Sequence, residues 1–328
     1  MPENHLTEYK ESWRDEYLKW ICGFANAQGG TLIVGKADNG AVVGIANAAE
    51  LLERLPNQVR DLLGIVVDIN HQTEKGKDLL VIEVPPYPTP ISYKGQYHYR
   101  SGSTKQELKG AALDRFLLRK QGRHWDGVPI PYLKVSDLSE AAFTTFRQQA
   151  ESAQRLRAAD LQLPPEKLLK KLHLIENGYL KRAAALLFHP DPEIYVTGAY
   201  IKVGYFESES EIRYHDEIHG PLLLQVEQAL DLIKLKYLKG WISYDGLQRI
   251  ETYPVPRSAL REALLNAVIH KDYGSGAPIQ IRVYKHKLTV GNASVLPEDW
   301  HVEDLTREHE SRPFNPDIAH CFFRLGEI

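Results

Sequence analysis

The chain has 328 residues, with 40 Lys plus Arg against 43 Asp plus Glu and a formal charge of −3. Apolar residues make up 43% and charged residues 25%, the usage of an ordinary globular protein, which excludes global disorder, a collagen-like repeat and a coiled-coil rod. At ~150 residues per domain the length suggests two or three domains, and the near-neutral total excludes a uniformly basic binder while leaving a local basic patch open.

Residues 12–28 are expected to be helical, because Trp13, Tyr17, Trp20, Ile21 and Phe24 recur at three- and four-residue spacing on one face. Gly29-Gly30 ends that helix. Thr31 to Gly35 reads as a strand, Asp38-Asn39-Gly40 as a hairpin turn, and Ala41 to Ile45 as the returning strand. Ala48 to Leu63 is a second helix. Ile65 to Gln72 and Leu79 to Val84 alternate as paired strands around Gly76, and Pro85, Pro86, Pro88 and Pro90 break the pattern. Ser92 to Arg100 reads as a short hairpin around Gly95. Lys105 to Lys120 reads as a helix with Leu108, Ala112, Phe116 and Leu117 on its apolar face, closing an α+β unit near residue 120.

Residues 121–135, with Pro129 and Pro131, look like a linker. Ser139 to Arg157 and Pro165 to Leu172 are expected helices, Ala183 to Phe188 a buried segment, and Tyr195 to Phe206 a strand. Glu207 to Glu217 holds five carboxylates and reads as a solvated loop. The amphipathic helix expected at Leu222 to Tyr237 suits a core or a homo-oligomer interface equally. Ser258 to His270 is a further helix, and Ile279 to Tyr284 with Lys287 to Gly291 a hairpin. No internal repeat is visible.

The longest apolar run, Ala183 to Phe188, falls far short of the ~20 residues a membrane helix needs. The highly charged first twenty residues lack the apolar core of a secretory leader. A cytoplasmic protein with no membrane partner is expected. Cys22 and Cys321 each sit in an apolar helical pattern and read as buried thiols rather than a disulfide or a metal pair.

One stretch departs from the average. Residues 85–124 carry eight basic side chains (Lys94, Arg100, Lys105, Lys109, Arg115, Arg119, Lys120 and Arg123) against Glu107 and Asp114, with Tyr87, Tyr93, Tyr97 and Tyr99 interleaved. Cations neutralise phosphates and aromatic faces stack on bases, so this is the most nucleic-acid-like part of the chain. A hairpin of strand-forming tyrosines followed by a solvated helix face would leave the same pattern.

The run Glu8-Tyr9-Lys10-Glu11-Ser12, the run Ile21 to Gly35 with its Gly-Gly step, Asp38-Asn39-Gly40 with Val43-Gly44, and Tyr99-Arg100-Ser101-Gly102-Ser103-Thr104 occur in the order of a Schlafen/Alba-like domain, and residues 3 to about 120 resemble it. Bacterial proteins with such domains are described as RecG-like transcriptional regulators that bind DNA, and some are anti-phage defence factors. The resemblance implies nucleic acid, DNA or RNA, as partner. It places Lys94, Arg100, Lys105 and Lys109 on phosphates, with Tyr97 and Tyr99 as stacking partners. Animal Schlafen relatives carry a metal-dependent RNA nuclease on this fold. Their three carboxylates correspond here to Glu3, Glu8 and Asp38, which would hold Mg²⁺ or Mn²⁺, with Lys10 stabilising phosphoryl charge.

Pro256 to Tyr273 resembles the helix of a divergent gyrase/histidine-kinase-type ATPase domain. Glu262, Asn266 and His270 lie on one helical stripe at i, i+4, i+8. The resemblance implies ATP as cofactor, with Asn266 on Mg²⁺ and Glu262 activating water. Leu260, Ala263, Leu264 and Ala267 would pack the other face. Gly291 to Pro297 stands where relatives carry Asn-Pro-Gly, and the glycine-rich nucleotide loop that would follow is not reached before Ile328. The expected fold class is α+β: a Schlafen/Alba-like domain at 1–122, a linker and helical connector at 123–190, and an incomplete Bergerat-type ATPase-like α/β sandwich at 191–328, serving as sensor or assembly module.

Overall fold

In the computed structural model, which describes residues 4–238, 240–245, 248–294, 296, 300, 302–307 and 310–326, the chain divides into two units, Met1–Gly122 and Arg123–Ile328. The first begins with β1 (Thr7–Lys10), α1 (Leu18–Asn26), β2 (Gly30–Val34), α2 (Ala48–Leu63), β3 (Asp68–Glu74) and β4 (Lys77–Val84). The sheet order is β1-β2-β4-β3. β1 and β2 are parallel and the other pairs antiparallel, so α1 is the crossover that a parallel pair requires. Leu18, Ile21, Cys22 and Ala25 of α1, and Leu51, Leu55, Val59 and Leu63 of α2, pack on Leu32, Val34, Leu80, Ile82 and Val84 of the sheet. The four-residue spacing on α2 explains its full sixteen-residue length. The step from α1 into β2 needs glycine twice: Gly29 has φ +81, and a Cβ on Gly30 would lie 2.3 Å from the Phe24 ring.

Ala41 to Ile45 does not form the expected returning strand. A bridge joins Lys36 to Val42, the amides of Val43 and Gly44 both donate to the Gly35 carbonyl, and Gly44 turns the chain at φ +82. The unit closes with an antiparallel ribbon of β5 (His98–Ser101) and β6 (Thr104–Glu107), then α3 (Gly110–Lys120). Lys105 therefore lies on a strand. The expected helix starts five residues late because Gly102 supplies a tight turn at φ +58 and pairing with β5 takes the backbone of 104–107.

The second unit contains α4 (Glu140–Ala153), α5 (Ala158–Leu161), α6 (Pro165–Lys171), β7 (Ile175–Glu176), β8 (Tyr179–Leu180), α7 (Arg182–Phe188), β9 (Ile201–Phe206), β10 (Ile212–Ile218) and α8 (Leu222–Leu232, with a wide turn to Tyr237). β11 (Trp241–Asp245), β12 (Gln248–Thr252), α9 (Arg257–Ile269), β13 (Ile279–Val283), β14 (Leu288–Gly291) and α10 (Pro316–Arg324) follow. Its main sheet runs β10-β9-β13-β14, with β9 and β13 parallel. Residues from Leu133 to Leu325 share one core, so the expected connector and the segment after it pack as one body. Half of the expected acidic loop is β10: Asp216 accepts from Tyr237 and Lys236, and Glu217 from Lys202, which offsets charge on a strand. On α9, Leu260, Leu264 and Ala267 are buried as expected, whereas Ala263 is exposed. Cys22 and Cys321 are buried free thiols, and burial pushes Cys22 up to about 11. No described helix is long and apolar enough to cross a membrane.

Candidate nucleic-acid interface

The basic ribbon is bolted to α1 by one buried amide. Asn26, at the end of α1, donates through Nδ2 to the carbonyls of Ile91 and His98, both at 2.8 Å, and accepts the Ile91 amide on Oδ1 at 2.8 Å. The inward cation of the ribbon is Arg100, whose side chain is 2% exposed. Its Nη1 meets Glu8 Oε2 at 2.6 Å, and Nε and Nη2 donate to the carbonyls of His5 and Asn4. The guanidinium lies 4.9 Å from the Phe24 ring centre. Glu8 is itself buried, and its other oxygen accepts from Lys10 at 2.5 Å. Arg100, expected on a phosphate, is thus an internal counter-charge that fastens the ribbon to β1. A buried carboxylate demands such pairing.

The same face of the ribbon carries a second cation. Lys105 stands directly opposite Arg100 in the β5–β6 register, and its amine lies 5.1 Å from the ring centre of Trp20, one turn before Phe24 on α1. Lys10 approaches the same indole at 5.2 Å. Burial and then the charge of Lys19 hold the Lys105 ammonium below its ordinary range. His98 is 1% exposed and has no hydrogen-bond partner on either ring nitrogen. Burial, and after it Lys105 and Lys19, push it down to about 4. Lys94 is exposed in a left-handed turn at φ 51, with its amine over the Tyr93 ring. Lys109 is exposed and pairs with Glu107 at 3.2 Å. Tyr97 and Tyr99, expected to stack on bases, each pack on Phe116 at 6.1 Å between ring centres.

Lys19 and Asn26 were not singled out by the sequence. A polar Asn between Ala25 and Ala27 on an apolar helix was the signal available for the second; Lys19 resembles any other helix cation until the ribbon is placed beside it.

Of the expected metal ligands, Glu3 lies outside the described residues. Asp38 is exposed in the turn after β2, where Asn39 accepts the Ala41 amide. A hard divalent cation needs carboxylate oxygens to donate to it, but both oxygens of Glu8 already serve cations. As arranged, Glu8 does not fit Mg²⁺ or Mn²⁺, and among the described residues no three His, Cys, Asp or Glu side chains gather to hold a metal. In the second unit, Glu262 and Asn266 lie on one exposed stripe of α9, joined by a 3.1 Å bond from Asn266 Nδ2 to Glu262 Oε1, and His270 caps the helix end. The segment 291–297, which stands where relatives carry Asn-Pro-Gly, falls partly outside the described residues.

Comparison with known proteins bears on this arrangement. No curated protein matches the chain. Among solved structures, the DIP2311 protein of Corynebacterium diphtheriae is 21% identical with a TM-score of 0.49, over 99% of this chain and 68% of that one. The N-terminal domain of a RecG-related protein of Nitrosomonas europaea is 23% identical with a TM-score of 0.23, over 32% of this chain and 82% of that one. Residues 3–109 match the family described as Schlafen, AlbA_2, so the sheet, α1 and the basic ribbon make up a Schlafen, AlbA_2 domain.

Proposed function

We propose that the amino-terminal unit binds nucleic acid through α1 and the β5–β6 ribbon, with Lys19 and Lys105 as the central phosphate contacts and Lys94 and Lys109 at the flanks. The observation that carries this reading is that Lys105 and Lys10 both reach the Trp20 ring, at 5.1 and 5.2 Å, on a partly buried surface. Burial and then the charge of Lys19 disfavour the Lys105 ammonium there, a cost that an incoming phosphate relieves. The family match supports the same class of partner. In the cell this makes the protein a nucleic-acid-dependent regulator or defence factor. The second unit is its sensor or assembly module; heat on titration with Mg-ATP, lost in Asn266→Ala, would make ATP the signal.

Fluorescence anisotropy with labelled DNA and RNA oligonucleotides across a salt series tests the binding reading. Affinity is expected to fall steeply with salt. Lys105→Glu is expected to weaken binding about tenfold and flatten the salt slope by about one charge. Absence of binding to every oligonucleotide at 50 mM salt overturns the proposal.

A further inference from the structure

We infer that Trp13, Tyr17 and Trp20 form a stacking platform for unpaired bases, so that the ligand of this domain is a single strand. This rests on the phosphate-binding reading above and adds what the strand must be.

The helix expected from residue 12 begins only at Leu18, so Trp13 and Tyr17 lie on the segment that leads into α1 and Trp20 in its first turn. Trp13 meets Tyr17 with centres 6.1 Å apart and planes at 87°, and Tyr17 meets Trp20 at 5.6 Å and 83°. All three are only partly buried. The contacts are edge-to-face, so no two rings bury a pair of faces against each other. The inward row of α1, Leu18, Ile21, Cys22 and Ala25, fills the core, and Trp13 and Tyr17 pack one part of each ring against it while leaving the rest at the surface.

Charge identifies the occupant. Lys10 and Lys105 both rest on the Trp20 ring, and Lys10 also lies 5.7 Å from the Tyr17 centre. The Lys105 contact is weak at a part-exposed site and exchanges easily: a phosphate takes its ammonium and a base takes the indole, while Lys10 stays on Glu8. The carboxylates on this face are offset. Asp15 accepts the Trp13 indole N–H at 3.0 Å, and hydrogen bonds from Gln58 and Trp13, then the charges of Arg54 and Lys94, hold it below the usual carboxylate range. Glu16 is 3.7 Å from Arg14, and Glu107 pairs with Lys109. A row of aromatic faces bordered by ammonium groups suits a chain that alternates bases and phosphates. The ring spacing selects its form. Bases in a duplex rise about 3.4 Å per step with their faces already stacked, whereas rings 5.6–6.1 Å apart suit an extended strand whose bases are separated.

The test compares binding of the full chain to labelled dT20, U20, a 20-base-pair duplex and an abasic 20-mer at one salt concentration. The expected order is dT20 or U20 about tenfold tighter than duplex or abasic strand, and whichever of dT20 and U20 binds tighter identifies DNA or RNA as the source. Trp20→Leu is expected to lose about tenfold on the single strand with the salt slope unchanged, while Trp20→Phe keeps most of the affinity. Tyr17→Leu provides a second variant, and unchanged thermal melting of each shows that the fold is intact. If duplex and single strand bind equally and Trp20→Leu is silent while Lys105→Glu still weakens binding, the platform is overturned and phosphate binding stands. If nothing binds, both fall. If Trp20→Leu alters only sedimentation, the ladder is a protein interface and the platform is overturned.

Discussion

Arg100 and Lys105 face each other across the same two-stranded ribbon and cover aromatic rings one helical turn apart on α1, Phe24 and Trp20, yet they do opposite jobs. Like charges directly opposite each other on a ribbon repel. The pair shares one face of the ribbon and is tolerated because the Glu8 carboxylate neutralises Arg100, while Lys105 lies over Trp20 at a partly buried surface. A cation over a ring is therefore not a signature of function. What separates the two is the counter-ion: the fold bonds Glu8 to Arg100 at 2.6 Å, whereas Glu107 and Glu16 act on Lys105 through their charge, and the proposed ligand gives it a phosphate.

The largest effect should come from the inward cation. Arg100→Met leaves Glu8 buried with only Lys10 and removes the contacts to the Asn4 and His5 carbonyls, which is expected to cost about 3–5 kcal/mol. Urea denaturation of the amino-terminal unit measures it, and adding Glu8→Gln should restore much of the loss because the orphaned charge goes with it. A cost below ~1 kcal/mol for the single variant would remove the structural half of the comparison.

Next comes His98, buried two residues before Arg100 on β5 and opposite Glu107. Its folded-state pKa of about 4 lies below the ordinary value near 6.5, so it stays neutral in the fold while the unfolded chain takes up a proton. Stability is fully present above pH 6.5 and is lost as pH falls towards 4, by on the order of 2–3 kcal/mol. Denaturation midpoints from pH 7 to 4 should show this slope in the native chain and lose it in His98→Phe. Lys105→Gln should narrow the window, because one of the charges that depresses His98 is gone.

How far the sequence anticipates this depends on whether a feature is local. The i, i+4 leucines of α2 and the hairpin of β3 and β4 are written within a few residues of themselves, and the structure repeats them closely. Of the ribbon, Lys105 to Glu107 reads as helix because Leu108, Ala112 and Phe116 carry helical spacing, and only pairing with β5 shows that 104–107 belong to a strand. Arg100 sits in a run of Tyr, Arg, Ser and Gly that looks exposed, and its partner lies 92 residues earlier; no local pattern announces that meeting. The aromatic row of α1 was visible, but periodicity reports that residues share a face and not whether anything covers it. Trp20 shares a face with Ile21 and Phe24 in the sequence, yet those two are fully buried and its ring is only partly so.

The surface cations themselves should rank. Lys105→Glu is expected to lower affinity about tenfold, roughly 1.4 kcal/mol, while leaving stability within ~0.5 kcal/mol or raising it, since a repulsion with Lys19 is removed. Lys109 is the smallest case. It is exposed, and its neighbour Glu107 already balances it at 3.2 Å, so an approaching phosphate must compete with that carboxylate for the same ammonium. Solvent screens the ion pair, whose own worth is ~0–1 kcal/mol. Lys109→Gln should therefore change the melting temperature little and reduce affinity about twofold, well under the effect at Lys105, as read by anisotropy at a fixed salt concentration. Equal losses at Lys109 and Lys105 would mean that total charge on the ribbon governs binding, and that the crowded position beside Lys19 has no special standing.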